Sequence, residues 1–247
     1  MGSETTTSAV RIGTAGWSYR HWRGDFYPES VPQREWLAYY AAQLDTVEVN
    51  STFYHLPLAS TCRSWHERAP DGFLYALKAS RYITHEKRLV DAAQEADLFV
   101  SRARLLGSHL GPLLFQLPPS LERNVDALRA FLDFLPDDLL CAFEFRNQSW
   151  YCDGVRELLD ERGACFCSHD MPRAPSPRWA TGPAVYVRFH GPLRRYSGAY
   201  PDDLLRDWAD RLADRLAEGR NVYAYFNNDL GGHAPRDAHR LHMMLAA

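Results

Sequence analysis

The stretch TVEVNSTFY, Thr46–Tyr54, opens with strict alternation: Val47 and Val49 share one face of an extended chain, Glu48 and Asn50 the other. A half-buried strand of an ordinary sheet would turn Glu48 to water. The same parity returns in FEFR, where Glu144 and Arg146 alternate with Phe143 and Phe145, and in VRFH, where Arg188 and His190 alternate with Val187 and Phe189. Parallel strands that all end in such polar pairs bring them to one mouth. A parallel barrel builds a site from distant segments in this way.

Working outward, β-prone runs recur at Val10–Thr14, Thr46–Asn50, Phe73–Lys78, Leu113–Gln116, Leu140–Arg146, Ala164–Ser168, Ala184–His190 and Val222–Asn227. Helical spacing fills most of the gaps. Pro32 starts a helix that runs to Leu44, and Ser60 or Thr61 caps one through Arg68. Further helices span about Val90–Leu106, Asn124–Phe134, Val155–Arg162, Asp203–Glu218 and Ala234–Leu245, with Gly107 and Gly163 as stops. Ala79–Arg88 reads as a loop, and a Pro-rich excursion to Pro183 replaces most of the helix after strand six. The expected fold is α/β, a single (β/α)8 TIM-type barrel over residues 10–247 behind a flexible tail, 1–9. A doubly wound open sheet is the rival, but GTAGW after strand one is not the GxGxxG turn such a sheet uses for dinucleotides.

The chain has 247 residues, close to the roughly 250 of one barrel, and a net charge of −3 that gives no footprint for nucleic acid or an anionic membrane. Five cysteines, Cys62, Cys141, Cys152, Cys165 and Cys167, are odd in number and scattered, as buried free thiols of a reducing compartment would be. No long apolar run and no basic n-region with an apolar core occur, so the expected location is cytoplasmic, with no membrane partner. Of 28 basic residues only Lys78 and Lys87 are lysines.

Taken together, GTAGWSYRHWRGDFYP (Gly13–Pro28), VEVNSTFY (Val47–Tyr54), ITH (Ile83–His85), GPLLFQLPPS (Gly111–Ser120), FEFRNQSW (Phe143–Trp150), VRFHG (Val187–Gly191) and YFNN (Tyr225–Asn228) resemble the YecE-like family, a domain-of-unknown-function family with a TIM-barrel fold. The resemblance runs from about Arg11 to Leu245. It implies the fold and carries no settled reaction, so function has to come from the residues at the mouth.

Strand ends supply Glu48, Asn50, Lys78, Gln116, Glu144, Arg146, Asp170, Arg188, His190, Asn227 and Asn228, and the loop beyond strand three adds His85. Glu48, Lys78, Glu144 and His190 are the catalytic candidates: a carboxylate as general base, His190 as acid, and Lys78 either as ion-pair partner of Glu48, the plainer reading, or as a neutral amine able to form a Schiff base. The others are binding candidates. Arg146 and Arg188 suit phosphate or carboxylate, which guanidinium grips through two parallel hydrogen bonds. Aromatic loops flank the mouth; Trp17, Tyr19, Trp150 and Tyr196 are their candidate ligand contacts, while Trp22, Phe26, Tyr27, Phe53, Tyr54, Tyr151 and Tyr200 are read mostly as packing. In NNDLGGHAPRDA, Gly231 and Gly232 precede a helix where barrels often hold phosphate.

The leading expectation is an enzyme of hydrolase or lyase/isomerase type acting on a small anionic molecule by acid–base chemistry, without cofactor. A metal-dependent phosphodiesterase or nuclease would recruit Glu48, Glu144, Asp170 and His190 to a divalent ion, against the repulsion of Lys78, Arg146 and Arg188. A non-catalytic metabolite-binding protein is the third reading.

Overall fold

The computed structural model describes residues 9–246. In chain order the elements are β1 (Val10–Ala15), α1 (Trp36–Ala41), β2 (Thr46–Val49), α2 (Ser51–Tyr54), α3 (Ala59–Arg68), β3 (Leu74–Lys78), α4 (Ala93–Ala103), β4 (Leu110–Gln116), α5 (Val125–Phe134), β5 (Cys141–Glu144), α6 (Asp153–Glu161), β6 (Cys165–His169), β7 (Ala184–Phe189), α7 (Asp202–Ala217), β8 (Asn221–Phe226) and α8 (His233–Leu245). Every strand pairs in parallel with its neighbours in sequence, and β1 closes on β8 with Val10 opposite Val222 and Thr14 opposite Phe226. This is a TIM barrel.

Residue parity explains the two apolar layers. Val47, Val49, Leu77, Phe115, Phe143, Val187 and Phe226 join the large core between barrel and helices. Ala76, Leu114, Ala142, Cys165, Cys167, Tyr186 and Tyr225, of the opposite parity, form a separate cluster inside the barrel. The inward parity ends above that cluster in charge. A buried strand must satisfy both faces, and here only the helix-facing one is uniformly apolar.

Several boundaries differ from those read off the sequence. The strands expected to reach Asn50, Arg146 and His190 end at Val49, Glu144 and Phe189, because the chain turns at the mouth; Asn50 already has helical backbone (φ −85°, ψ −18°) and opens the unforeseen α2. The helix expected from Val90 starts at Ala93, since Arg88, Leu89 and Asp91 have φ of 55°, 69° and 46°. The loop before it contains a π-helical turn, Tyr82–Glu86. Neither Ser60 nor Thr61 caps α3, which begins at Ala59 without a side-chain cap, whereas Asn124 does cap α5 by accepting from the Ala127 amide at 3.0 Å. Of the expected tail, Ala9 alone lies among the described residues. It is tied to the barrel, its amide donating to Asn221 Oδ1 at 2.8 Å.

Between β6 and β7 no helix forms among the described residues. An extended strap covers the barrel instead. Thr181 bonds the Ala164 carbonyl and the Phe166 amide (both 2.7 Å), Trp179 packs on Phe166 with centroids 4.9 Å apart, and Arg178 stacks on Trp208 of α7 at 4.2 Å.

β1 passes close to β2 at Gly13, where a Cβ would fall 2.0 Å from the Thr46 carbonyl oxygen. Gly13→Ala must push the strands apart and should destabilise the protein by about 3 kcal/mol or more. Gly154, in α6 with nothing within 4 Å of its would-be Cβ, should gain about 0.5–1 kcal/mol as alanine. Urea unfolding midpoints of the two variants check both signs.

Candidate functional site

Arg188 rises from β7 through the barrel interior and is 2% exposed. Its Nη1 donates to Glu144 Oε2 of β5 at 2.7 Å, and its Nη2 to Glu48 Oε1 of β2 at 2.7 Å. Tyr186, one inward position below it on β7, donates its hydroxyl to Glu48 Oε2 at 2.7 Å. Arg146 completes the network: its Nε pairs with Glu144 Oε1, and its Nη2 donates to His190 Nε2 at 2.9 Å. Burial alone would raise the Glu144 carboxyl, but Arg146 and Arg188 hold it well below the usual carboxylate range. His190 is driven well below its usual value by burial and by the same two guanidiniums, against the pull of Glu144. With Nε2 accepting from Arg146, the neutral ring carries its proton on Nδ1, which Asn227 can accept only with its amide turned to present Oδ1 in place of the Nδ2 that lies 3.2 Å away.

Lys78 departs from its plainer expectation. Glu48 is engaged by Arg188 and Tyr186, and among the described residues Lys78 forms no ion pair with it or with any other carboxylate. The ammonium instead sits 4.1 Å from the centroid of the Phe53 ring. Burial, then Arg188, push it from 10.5 down to about 7, partly offset by Glu144 and Glu48.

These groups underlie a pocket of about 270 Å³ lined by Tyr19, Asn50, Phe53, Tyr54, Lys78, Gln116, Arg146, Arg188, Tyr196, Asn227 and Asp229. Eight of the sequence candidates therefore reach it. Glu48, Glu144 and His190 lie beneath its floor, each fully buried. Tyr196 reaches the rim through a left-handed backbone (φ 64°), fixed by its amide on the His190 carbonyl at 2.6 Å and its carbonyl on the Leu230 amide at 3.0 Å.

Five candidates lie elsewhere, each for a visible reason. Trp150 belongs to the aromatic belt outside the barrel, stacked on Phe145 at 4.7 Å with its indole donating to the Leu121 carbonyl. Trp17 packs edge-on against Trp65 at 6.0 Å. His85 packs on Phe53 at 4.9 Å, bonded to the Thr84 hydroxyl; burial, then Lys78, lower it to about 4. Asp170 accepts from the His190 amide at 2.7 Å and from the Tyr200 hydroxyl, so it anchors the loop after β7. Asn228 donates to Gly198 and to Asp237 of α8, both at 2.8 Å. Beside the glycine turn before α8 stands Asp25, whose Oδ2 lies 2.8 Å from the would-be Cβ of Gly232 and whose Oδ1 pairs with Arg236. Phe53 and Tyr54, read as packing, line the pocket as well, and Asp229 is the lining residue that sequence reading did not name; it directly follows Asn227 and Asn228, the last positions taken from β8. Among the described residues no group of three or more His, Cys, Asp or Glu side chains is placed to hold a metal ion, and no helix is long and apolar enough to cross a membrane.

A closed parallel barrel with its polar pocket at the C-terminal strand ends defines a TIM-barrel protein of the type that places ligands there. The chain belongs to the family described as protein of unknown function DUF72, whose model matches residues 11–247. It is 27% identical over 259 residues to the UPF0759 protein YunF of Bacillus subtilis strain 168, covering 91% of this chain and 90% of that one. It is 30% identical to the UPF0759 protein YecE of Escherichia coli K12 over 128 residues, 51% of this chain and 47% of that one. The crystal structure of a DUF72 family protein from Thermotoga maritima superposes with a TM-score of 0.87 at 27% identity, covering 97% of this chain and all of the other. A DUF72 family protein from Enterococcus faecalis, at 22% identity and a TM-score of 0.81 over 96% of each chain, shares the fold. These relatives agree with the resemblance carried by the mouth motifs.

The buried groups give two opposite stability predictions. Arg188→Met leaves the buried Glu48 with the Tyr186 hydroxyl alone and Glu144 with Arg146, and should cost about 3–5 kcal/mol. Lys78→Met should stabilise. Below pH 7 the lysine is charged in both states and the native state bears its full desolvation, so the variant gains on the order of 2 kcal/mol there. Between about 7 and 10.5 the unfolded chain binds the extra proton, wild-type stability rises with pH, and the gain fades. Thermal unfolding of wild type and variant from pH 6 to 10 checks the sign.

Proposed function

We propose that the pocket binds a small molecule bearing a phosphate or carboxylate and acts on it by proton transfer. One observation carries the reading: Glu48 and Glu144 are already committed to Arg188 and Arg146, so Lys78 stands at the pocket with no carboxylate paired to it among the described residues. Arg146 uses Nε and Nη2 on Glu144 and His190, which leaves Nη1 free of protein partners among the described residues and able to meet an anion. Asn50, Gln116 and Asn227 supply amides around it. A pocket of about 270 Å³ suits a compact metabolite rather than a polymer.

The acid–base assignment shifts within the original candidates. Glu144, paired twice and held as a carboxylate, is a weak base, and a neutral His190 facing Arg146 is a weak acid; both lie under the floor. Lys78 lines the pocket, and an amine held near 7 exchanges a proton readily at neutral pH. The metal-dependent reading is less well supported, since Glu48 and Glu144 are taken by arginine and Asp170 by the His190 amide and the Tyr200 hydroxyl.

Anion binding should be linked to protonation of Lys78. Sulfate and oxalate, whose charge is constant across the range, should bind at pH 6 and weaken by up to about tenfold per pH unit above 7. Lys78→Gln should remove the pH dependence, and Arg146→Gln should weaken binding at every pH. Calorimetric titration from pH 6 to 9 measures this, and pH-independent binding that survives both substitutions would overturn the reading. Turnover of a panel of phosphorylated and carboxylated metabolites separates an enzyme from a binding protein.

A further inference from the structure

Lys78 is set up for more than holding charge. An arginine would serve an anion at least as well, and this chain uses arginine for 26 of its 28 basic residues, yet a lysine stands where the pocket meets β3. No carboxylate pairs with it among the described residues, and its Nζ rests against the face of Phe53. We propose that Nζ of Lys78 is a nucleophile that forms a Schiff base with the carbonyl group of a small oxo compound whose phosphate or carboxylate is held by Arg146. The proposal rests on the anion-binding reading and adds to it the reacting atom and the substrate class.

The surroundings serve each stage. A partly neutral amine at pH 7 follows from its burial beside Arg188. The neutral amine forms the C–N bond, and one of its protons passes to the carbonyl oxygen to give a carbinolamine. Asp229 lines the same pocket, and burial raises its carboxyl above its ordinary value. Protonation of the carbinolamine hydroxyl by Asp229 breaks the C–O bond and releases water; the nitrogen lone pair closes the C=N bond, leaving a cationic imine and the Asp229 carboxylate. The Phe53 face that now contacts the ammonium supports that cation equally well. The imine then draws electrons from the neighbouring carbon, an activation that serves proton abstraction or bond cleavage next to the former carbonyl.

Because the chain has two lysines, the test is unusually direct. Lys87 pairs with Glu95 at 2.8 Å, which raises its affinity for a proton, and so provides an internal control of low nucleophilicity. The full-length protein is incubated with glyoxylate, pyruvate or dihydroxyacetone phosphate, reduced with sodium cyanoborohydride, digested and sequenced by mass spectrometry. The expected result is a secondary amine at Lys78 with at least one of the three, at least tenfold above Lys87 and the terminal amine, faster as pH rises through 7 and suppressed by sulfate. Lys78→Arg should yield no adduct while still binding sulfate. Sulfate binding without any Lys78 adduct overturns the Schiff-base proposal and leaves the anion reading standing. Loss of both sulfate binding and adduct overturns both, as does labelling of Lys78 indifferent to sulfate and equal to that of Lys87.

Discussion

The structure depends on a guanidinium held between two carboxylates inside a closed barrel. Arg188 comes from β7 and meets Glu144 on β5 and Glu48 on β2, both at 2.7 Å, so one side chain cross-links strands on three parts of the wall. Taking these ions from water costs several kcal/mol each, and the cost is offset only because the geometry is close and the remaining oxygens find Tyr186 and Arg146. Hydrophobic residues would fill the same space at less expense. The retained ions act instead on the field of the pocket above: they fix both carboxylates as partners of arginine and leave Lys78, among the described residues, beside Phe53 with no carboxylate paired to it.

Most of the architecture was legible because a strand repeats every two residues. In Val47–Glu48–Val49, Phe143–Glu144–Phe145 and Val187–Arg188–Phe189 the apolar parity faces helices and the charged parity faces the barrel axis, as the alternation in the sequence requires. The resemblance of the mouth motifs added the family and, with it, the fold. Parity also fixed which residues meet at one end, and it did so for Glu48, Lys78, Glu144, Arg146, Arg188 and His190 together.

Contact with the pocket was less legible, because that depends on where each loop turns after its strand. Asp170 and Asn228 stand just past β6 and β8, yet they turn back to hold the Tyr200 loop and α8. Asp229, one residue further, turns in. Trp150 and Trp17 look like a stacking lid by composition, but their rings lie on the helix-facing side of the wall, where Phe145 and Trp65 give them apolar neighbours. Likewise the expected pair between Glu48 and Lys78, neighbours on β2 and β3, yields to Arg188, whose reach across the barrel cannot be read from adjacency in sequence.

The strap between β6 and β7 gives the molecule an uneven hull. Elsewhere strands lie under helices; along this flank the cover is a series of separate contacts, Ser176 on the His169 amide, Thr181 on Ala164 and Phe166, Trp179 on Phe166 and Arg178 on Trp208. Local opening is easiest where few buried contacts hold the backbone. Local opening should therefore begin along this flank and uncover Phe166, the β6 side chain that the strap covers, while Cys165 and Cys167 face the barrel interior.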